Sequence, residues 1–241
     1  MTANGVHVAR QQLSAAVERG LGIDFTPQGL LSDRGLRRSA VLILFGALDD
    51  VPATTAPIPT ADPEAALPTE VPIELDVLLT RRADTMRHHP GQIAFPGGGF
   101  EDGDADLAET ALREAAEETG LDPSGVEVLG SLSALHVPVS NNLVTPVIGW
   151  WRLPSEVAAD RRESVEVMRV PVGELLDPAA RGTSLLRRGA TSFRGAAFEL
   201  GPQFGGHIVW GFTGMVLSSL FDGIGWELPW DRERIFEIPA R

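Results

Sequence analysis

The sequence predicts an α/β fold in which β-strands lie between layers of helix. Three observations support this prediction. Short apolar runs rich in branched residues alternate along the chain with segments of helical periodicity. Clusters of glycine, proline and asparagine separate many of these segments. The 241 residues suit one large domain, or one domain with extensions, and suffice to bury a substantial core.

The N-terminal part begins with an amphipathic helix predicted over residues 6–19, with Gly20 as its stop. Apolar runs at 39–45 and 74–80 predict two buried strands. Between them, residues 48–73 are rich in proline, alanine, threonine and acidic residues without a period, which predicts a flexible surface loop.

The next helix is predicted over residues 107–119, where Asp104 or Asp106 is the expected N-cap and Gly120 the expected C-cap. A helical turn is expected at 172–176 and a closing helix at 212–221. Further strands are predicted at 93–95, 126–131, 143–151, 167–170, 193–200 and 207–210.

Composition excludes several classes of function. The formal charge of −13 argues against nucleic-acid binding, which needs a basic surface. The chain has no cysteine, which excludes disulfides and thiolate sites, and no lysine, which excludes a lysine Schiff base. It has no apolar run long enough to span a bilayer, and residues 1–20 lack the apolar block of a signal peptide. We therefore expect a cytoplasmic enzyme with a small-molecule substrate and no nucleic-acid or membrane partner.

The most informative segment is the helix that carries Glu114, Glu117 and Glu118. At about 100° per residue these three side chains fall within one arc of ~100°. Carboxylates crowded on one helix face repel each other, so the pattern calls for a cation. Clustered hard oxygen ligands suit Mg²⁺ or Mn²⁺. Taken alone, a solvated acidic face explains the pattern better.

A glycine-rich turn before this helix favours the metal site over the solvated face. Gly97, Gly98 and Gly99 allow the backbone to approach a metal ion or a phosphate closely. A tight glycine turn that leads into a metal-binding helix is typical of phosphoryl transfer.

From Gly98 onward the chain resembles the Nudix box, the signature of Nudix hydrolases. That signature is a glycine, five residues, an acid, about seven residues, then Arg-Glu-U-x-Glu-Glu-x-Gly-U, where U is aliphatic. Here the first acid is aspartate where the family usually has glutamate, and eight residues separate it from the arginine. These departures leave the contact between that acid and the arginine open. The matching residues are Gly98, Asp104, Arg113, Glu114, Ala115, Glu117, Glu118, Gly120 and Leu121.

The resemblance implies a Nudix-type α/β/α sandwich with a mixed sheet. It also implies that Glu114 and Glu118 bind the metal, and that Glu117 binds it directly or through water. The carbonyl of Gly97 is a further candidate ligand. Another acid is expected from a later loop, where we favour Glu163 over Glu166. An exposed loop charge explains Glu163 at least equally well.

The segment before the box resembles the coenzyme A branch of the family, whose signature is LLTxR[S], three residues, Arg, three residues, Gly, three residues and FPGG. Ala83 stands where serine is common. Arg82 and Arg87 would contact phosphate oxygens through forked hydrogen bonds, or one of them is an ion-pair partner for a nearby acid. Phe95 is expected to be a core residue rather than a stacking surface. The substrate-binding residues implied by the signature are Arg82, Arg87, Gly91, Phe95 and Gly98.

The expected reaction is Mg²⁺-dependent hydrolysis of coenzyme A, or a derivative, to 3′,5′-ADP and 4′-phosphopantetheine. Glu114, Glu117 and Glu118 form the expected catalytic set, with Glu117 or Glu163 as the base that activates water. Two alternatives stay open, a Nudix hydrolase of ADP-ribose or a dinucleotide and a non-catalytic ligand sensor on the same fold.

The expected domain organisation is an N-terminal helical extension over 1–35, a hydrolase domain over 36–222 and a C-terminal tail over 223–241. The oligomeric state is open, with a homodimer as one candidate. Arg187, Arg188 and Arg194 form a basic cluster, which substrate contact and a solvated hairpin explain equally well.

Overall fold

The computed structural model describes residues 3–20, 35–48, 74–86, 89–138, 140–160, 163–189 and 191–239. The loop predicted at 48–73 lies outside these residues except for Leu48, and Arg87 lies outside them as well. No helix among the described residues combines the length and apolarity needed to cross a bilayer.

A mixed sheet of eight strands forms the centre of the fold. Its main path runs in the spatial order β3 (Ile93–Ala94), β2 (Leu75–Arg82), β1 (Arg37–Ala47), β7 (Asn142–Trp151) and β5 (Val126–Ser131). Three further strands join this path: β4 (Gly97–Gly99) pairs with β1, β6 (Leu135–Val137) with β7, and β8 (Ser164–Pro171) with β2. Strands β1 and β7 are parallel and the other pairs are antiparallel. The predicted mixed sheet is therefore confirmed.

Helices cover both faces of this sheet, because successive side chains of each strand point to opposite sides. On one face, Leu42 and Leu44 of β1 pack with Ala111 and Ala115 of α2 (Leu107–Thr119). On the other face, Ile43 and Phe45 belong to the larger core. That core also contains apolar residues of α1 (Ala3–Arg19), α3 (Val172–Leu176) and α4 (Gly211–Gly223). The α/β sandwich expected from the sequence is confirmed.

A second sheet of four strands lies on the side of the larger core. Two of its strands correspond to those predicted at 193–200 and 207–210, and the other two were not predicted. Its order is β11 (Ile208–Val209), β10 (Thr191–Glu199), β9 (Arg181–Arg188) and β12 (Ile235–Ile238). Strand β12 comes from the segment expected to be a C-terminal tail and runs parallel to β9. Trp226 of the same segment is buried, stacks on Phe221 at 6.0 Å and donates a 2.8 Å hydrogen bond to Gln12 of α1.

The helix that carries the three glutamates has the predicted limits. Asp106 is its N-cap and accepts hydrogen bonds from the backbone N–H groups of Ala108 and Glu109. Gly120 is its C-cap in the left-handed conformation, at φ 69°. The sequence offered Asp104 or Asp106 as N-cap, and the structure assigns this role to Asp106.

Candidate active site

Asp104 and Arg113 form the contact that the sequence left open. The guanidinium of Arg113 donates two hydrogen bonds to the carboxylate of Asp104, at 2.9 and 3.1 Å. Asp104 also accepts from the hydroxyl of Thr110 and the backbone N–H of Glu101. The hydrogen bond from Arg113 is the main reason that the pKa of Asp104 lies well below its usual range. The shorter acid therefore reaches the arginine despite the additional residue between them.

Arg113 also fixes the glycine turn to the helix. Its second terminal nitrogen donates a 2.9 Å hydrogen bond to the carbonyl of Gly99. Its first terminal nitrogen lies 3.2 Å from Glu114 and 3.4 Å from Glu117. Sequence reasoning did not anticipate this link to Gly99. The signal for it in the sequence was an arginine directly before Glu114.

The glycine turn runs as strand β4 so close to its neighbours that two of its residues have no room for a side chain. A β-carbon on Gly97 would stand 2.3 Å from the carbonyl oxygen of Ala40. On Gly98 it would stand 2.5 Å from the carboxyl group of Glu114, whereas on Gly99 it would meet nothing within 4 Å. Gly97 and Gly98 therefore allow β1, β4 and α2 to converge at the glutamates.

Glu118 is the buried member of the acidic group, with 4 % of its surface exposed. Burial is the main reason that its pKa is raised to about 8, and the charges of Glu114 and Glu163 contribute to this rise. The nearby charge of Arg82 and a hydrogen bond with the backbone of Gly97 act in the opposite direction. Glu118 thus interacts with Glu114, Glu163, Arg82 and Gly97, and these five residues together form the acidic site.

Glu114 and Glu117 occupy the outer part of the same helix face. The side chain of Glu114 is 16 % exposed, and burial is the first cause that raises its pKa. Arg113 opposes this shift, whereas Glu117 and Glu163 add to it. Glu117 is 62 % exposed and is held by Arg113. The three glutamates thus share a face but differ in their access to solvent.

The structure distinguishes the two acids proposed for the later loop. Glu163 interacts electrostatically with both Glu114 and Glu118, and its carbonyl accepts a 2.7 Å hydrogen bond from Ala83. Glu166 instead lies 3.2 Å from Arg81 and 3.9 Å from His207. Glu163 is therefore the loop acid near the helix glutamates.

A divalent cation is the group that this set of residues fits. Glu114, Glu118 and Glu163 are hard oxygen donors, and their mutual repulsion and the burial of Glu118 both favour a nearby positive charge. Within the described part of the chain, however, no three His, Asp or Glu side chains are already arranged around one metal position. The residues thus fit Mg²⁺ in donor type and charge, and coordination requires their carboxylates to converge.

The residues expected to bind substrate do not all lie at this site. Arg82 ends strand β2 beside Glu118, and its buried Nε has no hydrogen-bond partner among the described residues. Gly91 is part of a turn, at φ 68°, and Gly98 supports Glu114 as described above. Phe95 is 3 % exposed and belongs to the larger core, as expected for a packing residue. Its side chain therefore offers almost no surface to a substrate.

Comparisons with known proteins place this sequence in a family. A model described as "NUDIX domain" matches residues 71–186. The chain is 36% identical over 149 residues to "Uncharacterized Nudix hydrolase NudL" of Yersinia enterocolitica serotype O:8 / biotype 1B, covering 61% of this chain and 73% of that protein. It is also 36% identical over 150 residues to the protein of the same name from Enterobacter sp. (strain 638), covering 62% and 75%.

Solved structures align at lower identity. A Nudix hydrolase from M. smegmatis, RenU, has a TM-score of 0.46 and 20% identity, covering 81% of this chain and 90% of that one. The NUDIX domain of Shewanella oneidensis NrtR, crystallised with ADP ribose, has a TM-score of 0.40 and 18% identity, covering 64% and 82%. On the evidence of the curated relatives, this chain belongs to the Nudix hydrolase family.

Proposed function

We propose that the protein hydrolyses the pyrophosphate bond of coenzyme A, or of a derivative, to give 3′,5′-ADP and 4′-phosphopantetheine. Nudix hydrolases generally use a divalent metal ion such as Mg²⁺, and Mn²⁺ is an alternative here. The observation that supports this substrate is the position of Arg82. This arginine belongs to the coenzyme A signature and lies beside Glu118 in the acidic site.

Arg82 is suited to bind a phosphate group. Its Nε is buried and has no acceptor among the described residues, so the guanidinium retains donor capacity. A guanidinium binds phosphate oxygens through two parallel hydrogen bonds, a geometry that lysine cannot reproduce. Coenzyme A carries a pyrophosphate and a separate 3′-phosphate. A single fixed arginine beside the acidic site would orient the bond to be cut.

Three carboxylates, Glu114, Glu118 and Glu163, would hold the metal ion, with Glu117 and the carbonyl of Gly97 as further candidate ligands. When bound, the ion would neutralise charge that develops on the pyrophosphate oxygens. Arg113 helps to keep this set in place, because it contacts Asp104, the carbonyl of Gly99 and Glu114.

The base that activates water is Glu117 or Glu163. Glu117 is held by Arg113, at 3.4 Å between Nη1 and Oε1. For Glu163, hydrogen bonds to neighbouring residues involve its backbone N–H and carbonyl. This difference favours Glu163, because its carboxylate is less committed to a structural partner.

The substrate is tested by incubating purified protein and Mg²⁺ with coenzyme A, ADP-ribose and a dinucleotide separately, followed by chromatography of the products. We expect 3′,5′-ADP and 4′-phosphopantetheine from coenzyme A. Cleavage of ADP-ribose or the dinucleotide with coenzyme A intact would overturn the substrate and leave the family activity in place. No turnover of any of the three, with Mg²⁺ and Mn²⁺ both tried, would contradict the proposed hydrolysis and favour a ligand sensor.

The role of Arg82 is tested in the same assay with two matched variants. We expect Arg82→Lys to lower kcat/KM for coenzyme A about tenfold or more, since the forked geometry is lost. Arg81→Lys is the control, because the neighbouring arginine pairs with Asp84 and Glu166 instead. Equal losses in the two variants would contradict a specific phosphate contact by Arg82.

A further inference from the structure

A cavity of about 380 Å³ opens on the second sheet, away from the acidic site. Strands β9 and β10 form one wall, the C-terminal half of α4 another, and the segment that holds Glu227, Trp230 and Arg232 the third. The second sheet and α4 pack on the larger core, whereas α2 packs on the other face of the central sheet. The cavity is thus separate from the proposed catalytic residues. Its volume is within the range of small-molecule sites.

Arg194 faces this cavity from strand β10. Ala196 pairs with Thr183 across the sheet, and both line the cavity. Arg194 is two residues before Ala196, so it lies on the same face of the strand. The exposed side chain of Arg194 makes no hydrogen bond or ion pair with the rest of the described chain. The N–H groups of its guanidinium are therefore available to hydrogen-bond a ligand at the cavity wall.

One of the two acids that line the cavity is already engaged. Glu227 accepts a 2.6 Å hydrogen bond from the indole N–H of Trp230. The same carboxylate oxygen lies 3.5 Å from Arg181 and 4.0 Å from Arg232. The negative charge of Glu227 is thus compensated by Arg181 and Arg232.

Arg181 lies fully buried directly behind the cavity wall. Its guanidinium lies 4.5 Å from the ring centre of Phe198 and 4.9 Å from that of Trp230, and donates to Ser218. Its Nε and Nη1 are buried without hydrogen-bond partners in the described part of the chain. Burial lowers the pKa of Arg181, which reflects a positive charge that its surroundings compensate incompletely.

The charges around the cavity therefore sum to a positive value. The charges of the lining itself balance, with Arg194 and Arg232 against Asp222 and Glu227. The buried Arg181 behind the wall, 3.5 Å from Glu227, adds one positive charge to this sum. This region therefore carries a positive charge, although the formal charge of the whole chain is −13. A low-dielectric wall strengthens such a field and attracts a counter-ion.

From this geometry we propose that the cavity binds a small organic anion, whose carboxylate or phosphate group is held by Arg194 and Arg232. The cavity is larger than an inorganic ion requires, so the remainder of the ligand would lie against Trp230, Ser218 and Ser219. The indole N–H of Trp230 is committed to Glu227, so that side chain offers only its ring. That ring would therefore pack against an apolar part of the ligand.

Isothermal titration calorimetry on the full chain, freed of divalent metal and of chelator and kept in a buffer without carboxylate or phosphate, tests this proposal with three probes. Glucose 6-phosphate carries a phosphate, citrate carries carboxylates, and glucose is the uncharged match of the first. We expect saturable binding of glucose 6-phosphate or citrate, and whichever binds identifies the anionic group. Binding of glucose as tight as that of glucose 6-phosphate, or no binding of either anion, would overturn the proposal.

Two arginine variants locate the binding. Arg194→Gln should weaken the anion about tenfold, since it removes a charge-assisted hydrogen bond. Arg188→Gln is the matched control, because strand alternation puts this exposed residue of β9 on the other face. Unchanged affinity in Arg194→Gln would overturn the proposal and indicate binding elsewhere, such as at the acidic site. Equal thermal midpoints for the two variants show that both are folded.

Discussion

The carboxyl group of Glu114 lies directly against the α-carbon of Gly98, where a β-carbon would stand only 2.5 Å from its oxygens. The glycine strand and the glutamate helix are therefore fitted to each other. This contact links the Gly98 end of the coenzyme A signature to the first glutamate of the Nudix box. It also predicts that a methyl group added at Gly98 would displace the carboxylate of Glu114.

Gly98→Ala should displace the carboxylate of Glu114 and lower hydrolysis about 100-fold, the scale of loss expected when a catalytic group moves by ~1 Å. The obstructing atoms are the end of the flexible Glu114 side chain, so the unfolding free energy should fall by only about 1 kcal/mol or less, the low end of overpacking costs. Steady-state kinetics and chemical denaturation measure the two effects. Gly99→Ala is the control, because a β-carbon there meets nothing within 4 Å. An active Gly98→Ala variant would show that the position of Glu114 is not critical.

Asp104→Asn should lower the thermal midpoint of unfolding, since it removes the charged acceptor of both Arg113 hydrogen bonds. The pKa of Asp104 is depressed in the folded state. Its stabilisation is therefore present above the unfolded-state pKa, near ~3.9, and is lost as the pH falls through the lower folded value.

The difference in thermal midpoint between wild type and Asp104→Asn should therefore be constant near neutral pH and shrink below about pH 4. Differential scanning calorimetry across this range measures it. Asp102→Asn serves as the control, because Asp102 is exposed and lies outside the contact. A pH-independent difference would mean that the charge of Asp104 contributes nothing.

Glu118→Gln should stabilise the metal-free protein at alkaline pH. Burial raises the pKa of Glu118 from 4.5 to about 8, so the folded state holds this proton more tightly than the unfolded state. The contribution of this group to stability therefore falls as the pH rises from 4.5 to about 8. Glutamine does not titrate, so the variant escapes this loss.

Thermal unfolding in EDTA should thus show similar midpoints for wild type and Glu118→Gln at pH 5, and a higher midpoint for the variant at pH 8.5. Glu156→Gln, a change at an exposed loop residue, should follow wild type at both pH values. A variant that is less stable than wild type at pH 8.5 would indicate that Glu118 is charged and well compensated in the metal-free protein.

Glu163→Gln should lower hydrolysis about 100-fold or more if this residue is a ligand or the base. Glu166→Gln should have a small effect, since Glu166 pairs with Arg81 and lies outside the acidic group. Single-turnover rates of the two variants measure the difference. Comparable losses, or a larger loss in Glu166→Gln, would reassign the loop acid.

The helix of the acidic site was predictable because its signals are local. Asp106 and Gly120 fix its two ends by cap chemistry, and the spacing of the glutamates fixes its polar face. The same is true of strand β5, whose limits follow from its apolar residues and from Gly130 near its end. Glu163 could be proposed only from its region in the chain, and the fold brings it near Glu118.

Strands β10 and β11 of the second sheet were predicted, at 193–200 and 207–210. Strands β9 and β12 of that sheet, and β4 of the central sheet, were not, because their signals are not local. Strand β9 contains five charged or hydroxyl residues among eight and has no clean alternation. Strand β12 has four residues and is held by parallel pairing with β9. Strand β4 consists of three glycines, the weakest strand formers, and exists because it pairs with β1. Tertiary contacts override local propensity in each case.

Mn²⁺ binding followed by electron paramagnetic resonance, with coenzyme A hydrolysis measured on the same samples, tests the acidic site most directly. We expect Glu118→Gln to weaken Mn²⁺ binding by at least about tenfold and to abolish hydrolysis, while Glu156→Gln matches wild type. Wild-type affinity together with wild-type turnover in Glu118→Gln would contradict the assignment of this site as the metal centre.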